Sequence, residues 1–331
     1  MIDYQQSKIE NLIPRNPKSK IIRGRLAPSP TGYLHAGNAR SFLLAWLQMR
    51  SVGGEIILRI EDLDMARAVP GAGNGIVEDL AWLGLDWDNE LGPEYFQSNR
   101  FQRYQAAIQE LRERGLVYEC FCSRKELREI ASAPHGAMGR YSGRCRDLTA
   151  EQRDVLRDEK SPALRFRVEP ETIVSFIDGL YGPQTEDVYD VTGDFIIARA
   201  DGVPGYQLAV VLDDIAMGIT HVLRGSDLLP STPRQILLFQ AFGAAAPSYT
   251  HVPLMLGPDG VRLAKRHGSV SIAELRAAGH SPEMVTGWLA WSCGLIPEPA
   301  PLAARELLSG FSIERISTRD TEVRLEELEG D

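Results

Sequence analysis

The chain has 331 residues, 44% of them hydrophobic, and a formal net charge of −9. A chain of this length can bury a substantial core, in two domains or in one domain with an insertion. The acidic balance excludes a protein that coats nucleic acid indiscriminately, although local Lys and Arg patches still act within a Debye length of about 8–10 Å.

Residues 1–20 are polar and mixed in charge, unlike a signal peptide. They read as a flexible N-terminal extension. No apolar run approaches the roughly 20 residues needed to span a bilayer, so no membrane contact is expected, and the cytoplasm is the expected compartment. From residue 21 to about 117, strand-like and helix-like runs alternate. A strand-like run with Ile21, Ile22 and Leu26 enters a turn rich in Pro and Gly, and a helix-like run follows over 39–49. Pro28 and Pro30 exclude a regular helix in that turn, while Gly32 and Gly37 permit close backbone approach. His35 and Asn38 then fall where the helix begins, a point whose free N–H groups and dipole favour a phosphate. A short buried strand is expected over 55–60, and helices over 75–83 and 101–113. Such alternation implies a parallel sheet covered by helices.

From 118 to about 200 the character changes to a loop-rich insertion with β-like runs at 163–168 and 195–198. Alternation resumes over 201–258, with a buried run at 206–212, strands at 219–223 and 250–256, and a helix at 233–242. A basic loop opens the next segment, 259–295, which also holds helices at 271–278 and 282–292. Cys293 sits among Trp288 and Trp291 and reads as core. Residues 296–331 are charged and read as a tail.

Taken alone, His35 reads as a structural loop histidine, and Arg262-Leu-Ala-Lys-Arg266 as a solvated basic turn. The turn Arg25-Leu-Ala-Pro-Ser-Pro-Thr-Gly-Tyr-Leu-His-Ala-Gly-Asn38 lacks the glycine patterns of a P-loop or a dinucleotide site. It resembles the "HIGH" signature of class I aminoacyl-tRNA synthetases in its glutamyl form, with Asn38 in place of the second histidine. The basic loop resembles that family's second signature, the "KMSKS" loop, with Arg262 where the family usually has lysine. A cation on such a loop can neutralise charge on transferring phosphate oxygens. Arg59-Ile-Glu-Asp-Leu-Asp64, followed by Arg67, resembles the family's "RIEDTD" segment. The stretches from Tyr206 to Asp214 and from Val222 to Leu228 resemble the glutamyl subclass.

Residue chemistry agrees with that resemblance. Guanidinium groups are fixed forks for carboxylates, and Arg224 closes a strand-like run, where ligands of doubly wound sheets sit. Glu61 follows another strand and can receive an ammonium group, although Asp62 and Asp64 fit turn or cap roles equally well. The resemblance implies an α/β fold built on a Rossmann-like doubly wound parallel sheet. It implies glutamate binding by Arg25, Leu26, Ala27, Pro28, Ser29, Glu61, Tyr206 and Arg224. It assigns ATP, used with Mg²⁺, to His35, Gly37, Asn38, Arg262 and Lys265, with His35, Asn38 and Lys265 as the catalytic set.

Four cysteines fit a reducing compartment and, by their spacing, a metal rather than disulfides. Cys120 and Cys122 in the insertion, closed by Cys145, suit tetrahedral zinc. A fourth ligand is needed, and spacing favours His135 because histidine is the commoner zinc ligand. The pattern Cys-x-Cys…Tyr-x-x-x-Cys instead resembles the zinc site of the glutamyl-queuosine tRNA(Asp) synthetases, a shortened offshoot of the glutamyl enzymes. That resemblance implies Tyr141 and one structural zinc per chain. Residues 267–331 are too few for a helical anticodon-binding region. The expected activity is therefore ATP-dependent activation of L-glutamate and its transfer to queuosine at the wobble position of tRNA(Asp), by a monomer. The alternatives are a minimal glutamyl-tRNA synthetase charging a tRNA 3′ end, and a silent RNA-binding paralogue, for which Asn38 speaks.

Overall fold

The computed structural model describes residues 21–64, 67–123, 126, 140–257, 259–260, 263 and 271–323. Strand β1 (Arg23–Leu26) leads through the Pro-rich turn into helix α1 (Ala36–Arg50), and β2 (Glu55–Leu58) returns beside β1. Helices α2 (Ala72–Trp82) and α3 (Phe101–Glu113) follow. The insertion then holds β3 (Val117–Cys120), α4 (Ala150–Glu159), β4 (Ala163–Phe166), the strands β5 (Ile173–Asp178) and β6 (Gly182–Asp187), the single turn α5 (Val188–Val191) and β7 (Phe195–Ala198). After it come α6 (Tyr206–Met217), β8 (His221–Gly225), α7 (Thr232–Ala241), β9 (Ser248–Val252) and β10 (Met255–Leu256). Helices α8 (Ile272–Ala277) and α9 (Pro282–Trp291) precede β11 (Thr321–Glu322).

The fold is mixed α/β. β1 pairs with β2 in parallel, Arg23 opposite Glu55, and β8 pairs with β9 in parallel, His221 opposite Ser248. The Thr220 N–H donates to Arg23 O at 2.8 Å and sets β8 alongside β1. Helix α1 buries Leu43, Leu44, Trp46 and Leu47 against these strands. Gly24 lets the helix approach closely, since a Cβ there would run into Met49. The insertion is antiparallel instead: β4 lies between β3 and β7, and β5 and β6 form a hairpin. Capping sets the later helices. Ser271 and Glu274 form a reciprocal capping box on α8, and Ser281 caps α9, which has Pro282 at its first turn.

The buried run expected at 206–212 is the first part of helix α6, whose apolar residues cover several faces because it packs inside the core. Two expectations need correction. The strand expected over 250–256 breaks at Pro253 and Leu254 into β9 and β10. Residues 296–323 are not a tail. Ala304, Leu307, Ile316 and Val323 join the core cluster of Trp46 and Trp288, and β11 pairs with β10 in parallel. The abundance of charge hid a sparse set of apolar anchors. The extension 1–20 lies outside the described residues.

The seat of this C-terminal strap on α9 is Gly287, where a Cβ would overlap the carbonyl of Ala300. Leu302 N–H also donates to Glu283 O at 3.0 Å. Gly287→Ala is therefore expected to destabilise the protein by about 1–3 kcal/mol through overpacking. Thermal unfolding reads the change, and an unaltered midpoint would show that the strap is not seated there.

Candidate active site and metal centre

A cavity of about 1010 Å³ opens at the carboxyl ends of β1 and β8 and at the first turn of α1. Arg25, Ala27, Pro28, Ser29, Glu61, Tyr206 and Arg224 line it, together with His35, Gly37 and Asn38. Leu26 is the exception among the expected site residues. Its side chain is fully buried in the core, and its carbonyl accepts from Arg59 N–H at 2.9 Å, continuing the pairing of β1 with β2. Alternation along β1 explains this, since neighbouring side chains point to opposite faces. Arg262, Lys265 and His135 lie outside the described residues. Leu263 lines the cavity and donates its N–H to Met255 O at 2.9 Å, which holds that point of the basic loop at the rim.

Beneath the cavity floor lies a charge network built on Arg59, which is fully buried. Its guanidinium donates to Asp214 at 2.8 Å and to Glu61 Oε1 at 2.9 Å, and lies 3.8 Å from Asp213. Asp213 also accepts from Gln97 at 2.8 Å and Tyr104 at 2.9 Å, and pairs with Arg100. Burial alone would lower the Arg59 pKa, but the Asp214, Glu61 and Asp213 carboxylates together raise it above its ordinary value. Burial pushes the Glu61 carboxyl up despite the pull of Arg59 and Arg25. Arg25 is lowered by desolvation. It reaches Leu223 O at 3.3 Å, lies 3.8 Å from Asp214, and its Nε has no hydrogen-bond partner among the described residues.

Arg224 is treated differently. Its nitrogens donate to His251 Nε2 at 3.0 Å, Gln235 Oε1 at 2.8 Å and Thr232 Oγ1 at 2.8 Å. Three carboxylates (Asp213, Asp214, Glu61) face three guanidiniums (Arg25, Arg59, Arg100), whereas Arg224 has only neutral acceptors. Among the described residues Arg224 is thus held by neutral side chains, while Asp227 lines the same cavity. Sequence reasoning missed Asp213, Asp214, His251 and Gln235 as parts of the site. The adjacent carboxylates Asp213 and Asp214 in an otherwise apolar helix were the available signal, because charge at core positions implies paired partners.

The thiols of Cys120, Cys122 and Cys145 lie within 4.8 Å of one another, a group that could hold a metal ion. Tyr141 Oη completes the cluster at 3.5 Å from Cys120 Sγ and 3.7 Å from Cys122 Sγ. The Cys145 N–H donates to Tyr141 Oη at 2.9 Å, and Arg165 donates to Cys120 Sγ at 3.2 Å while lying over the Tyr141 ring. Hydrogen bonds from Cys145, Tyr141 and Arg165 hold the Cys120 thiol down at about 4, so a thiolate is favoured there.

The start of α1, the guanidiniums at the strand ends and Leu263 at the rim thus converge on one cavity of an α/β fold. The chain belongs to the family of class I tRNA synthetases (E and Q), whose catalytic domain matches residues 21–322. It is 52% identical over 307 residues to a protein from Symbiobacterium thermophilum named Glutamyl-Q tRNA(Asp) synthetase, covering 89% of this chain and 94% of that one. It is 49% identical over 277 residues to a Glutamate–tRNA ligase from Synechococcus sp. (strain JA-3-3Ab), covering 82% of this chain and 57% of that one. Among solved structures, a glutamate tRNA ligase from Elizabethkingia meningosepticum in complex with its amino acid superposes with a TM-score of 0.79 at 28% identity, over 93% of this chain and 68% of that one. Among the described residues no helix is long and apolar enough to cross a membrane.

The buried network is expected to dominate stability. Asp213→Ala leaves Arg100, Gln97 and Tyr104 without this acceptor and Arg59 with one carboxylate fewer, and should cost about 3–5 kcal/mol in denaturant unfolding. A loss below about 1 kcal/mol would mean that solvent replaces the carboxylate, as at surface pairs.

Proposed function

We propose that the protein activates L-glutamate with ATP to glutamyl-adenylate and transfers the glutamyl group to the queuosine base at the wobble position of tRNA(Asp). The observation that carries this reading is the buried Arg224 guanidinium at the cavity, held by neutral side chains, in a chain about half identical to a relative of that name. In this reading the Rossmann-like doubly wound sheet is built on β1, β2, β8 and β9. Arg224 and Arg25 fork the carboxylates of glutamate, as fixed guanidiniums do. Arg59 takes Glu61 Oε1 and leaves Oε2 for the substrate ammonium. Tyr206 and the backbone of Ala27, Pro28 and Ser29 form the walls. ATP, entering with Mg²⁺, lies over the first turn of α1 at His35, Gly37 and Asn38. There the start of the helix and its dipole favour its phosphates. Arg262 and Lys265 neutralise the charge that develops as the glutamate carboxylate attacks the α-phosphorus and pyrophosphate leaves.

Glutamate recognition has a direct test. Arg224→Ala should cost about 2–4 kcal/mol in transition-state binding, roughly 30- to 1000-fold in kcat/KM for glutamate in ATP–pyrophosphate exchange. Retention within about threefold would remove Arg224 from the site. The acceptor is tested with labelled glutamate, which should attach to tRNA(Asp) containing queuosine and not to tRNA(Asp) lacking it. Equal labelling of both, or of tRNA(Glu), would favour a minimal glutamyl-tRNA synthetase.

The thiol cluster fits a structural zinc held by Cys120, Cys122, Tyr141 and Cys145. Zn–S bonds of about 2.3 Å put tetrahedral ligands roughly 3.8 Å apart, near the 3.6 Å between the Cys122 and Cys145 sulfurs. Bound zinc would tie the end of β3 to the loop at 141–145 and contribute folding energy. Metal analysis should return about one zinc per chain, and the double variant Cys120→Ser, Cys122→Ser should lose it. A metal-free wild type that is folded and active would refute the site.

A further inference from the structure

Arg59 and Arg224 belong to one site and are both buried, yet they are held in opposite ways. Carboxylates ring Arg59, whereas the Arg224 Nε meets an imidazole. His251 is itself fully buried on β9. Its Nε2 lies 3.0 Å from Arg224 Nε, and its Nδ1 lies 2.6 Å from Asp178 Oδ2. A guanidinium N–H can only donate, so Nε2 must carry the lone pair and the proton must sit on Nδ1. Asp178, at the end of β5, accepts that proton with Oδ2 while its Oδ1 accepts the N–H groups of Leu180 and Tyr181, both at 3.0 Å. The hairpin thus fixes the carboxylate, the carboxylate fixes the tautomer, and the tautomer fixes the guanidinium. Burial also lowers the His251 pKa below the ordinary histidine range, in keeping with a neutral ring.

We infer that His251, locked in one tautomer by Asp178, is a positioning residue that orients Arg224 without neutralising it, and so reserves that charge for a substrate carboxylate. A carboxylate in the place of His251 would give the same orientation but would cancel the charge, as happens around Arg59. A water would leave the charge but not the orientation. The imidazole removes the negative partner, Asp178, to the far side of a neutral ring. The inference rests on the reading of Arg224 as a glutamate ligand.

The test is Asp178→Asn in the full-length protein, read by ATP–pyrophosphate exchange. Turned with its oxygen towards His251, which offers N–H and Nδ1–H, the amide would keep the tautomer, and His251→Gln and His251→Leu then carry the test. With its oxygen where Leu180 and Tyr181 donate, its NH₂ faces His251 Nδ1. The imidazole proton then moves to Nε2 and confronts the Arg224 Nε–H. The KM for glutamate should rise at least about tenfold, while the KM for ATP stays within about twofold. Adding His251→Gln, whose Oε1 can accept from Arg224 whatever stands at 178, should recover most of the loss. Should Asp178→Asn not fold, the single variants His251→Gln and His251→Leu ask the same question, with the loss in glutamate affinity expected only for leucine. A glutamate KM within about threefold of wild type for both Asp178→Asn and His251→Leu, or equal losses for glutamate and ATP with no rescue by glutamine, would overturn the inference. If Arg224→Ala itself leaves the glutamate KM unchanged, the failure lies in the assignment of Arg224 and not in the role of His251.

Discussion

The ion cluster around Arg59 is the constraint on which the rest of the site depends. Arg59 follows β2, Asp213 and Asp214 lie on α6, and Arg100 and Tyr104 lie at the start of α3. Three elements far apart in sequence are thus held together by charge beneath an otherwise apolar sheet. Burying any one of these ions alone would be prohibitive. Together, with most lone pairs and protons used, they approach neutrality. The positions of Glu61 and Arg25 at the cavity wall follow from this arrangement, because both border the same carboxylates and guanidiniums.

A neutral floor gives the exposed part of the site its selectivity. With the Arg59 cluster paired internally, Arg224 stands apart as a buried guanidinium held by neutral side chains. In the proposed reading, the cost of holding it desolvated among Gln235, Thr232 and His251 is recovered when an anion arrives. A zwitterionic amino acid with a neutral side chain would recover less of it. Discrimination of this kind, in which a site built for a charged group is left unpaired by the wrong ligand, is stronger than discrimination by apolar shape.

Local chemistry was legible in the sequence and long-range chemistry was not. The turn of Pro28 and Pro30 before α1 and the strand ends at Glu61 and Arg224 could be read because each is a short run of residues with a backbone consequence, whereas Tyr141 beside the three cysteines came from the family resemblance, spacing alone having favoured His135. The side chain of Leu26 lies in the core and not along the cavity, a difference that arises because a run of adjacent residues was carried over whole whereas a strand sends alternate side chains to opposite faces. His251 and Asp178 stand 73 positions apart, so neither carries a local signal, and their partnership exists only once β5 lies beside β9. The C-terminal strap escaped notice for a related reason: Leu307, Ile316 and Val323 are too widely spaced to show a period, yet each reaches the same core.

The departure at Asn38 acquires a physical meaning in this frame. What a helix start offers a phosphate is chiefly backbone: the aligned peptide dipoles of the first turn. That helix start is formed here, since the N–H groups of Asn38 and Ala39 both donate to His35 O, at 3.0 and 2.9 Å. Replacing a signature histidine by Asn38 changes the side chain that lines the cavity, one donor group for another, and leaves the α1 backbone intact. A silent protein would be expected to lose the costly parts of the site first, above all the buried guanidinium of Arg224, held by neutral side chains. That group is retained with every nitrogen held in place, which argues that the site is maintained for use.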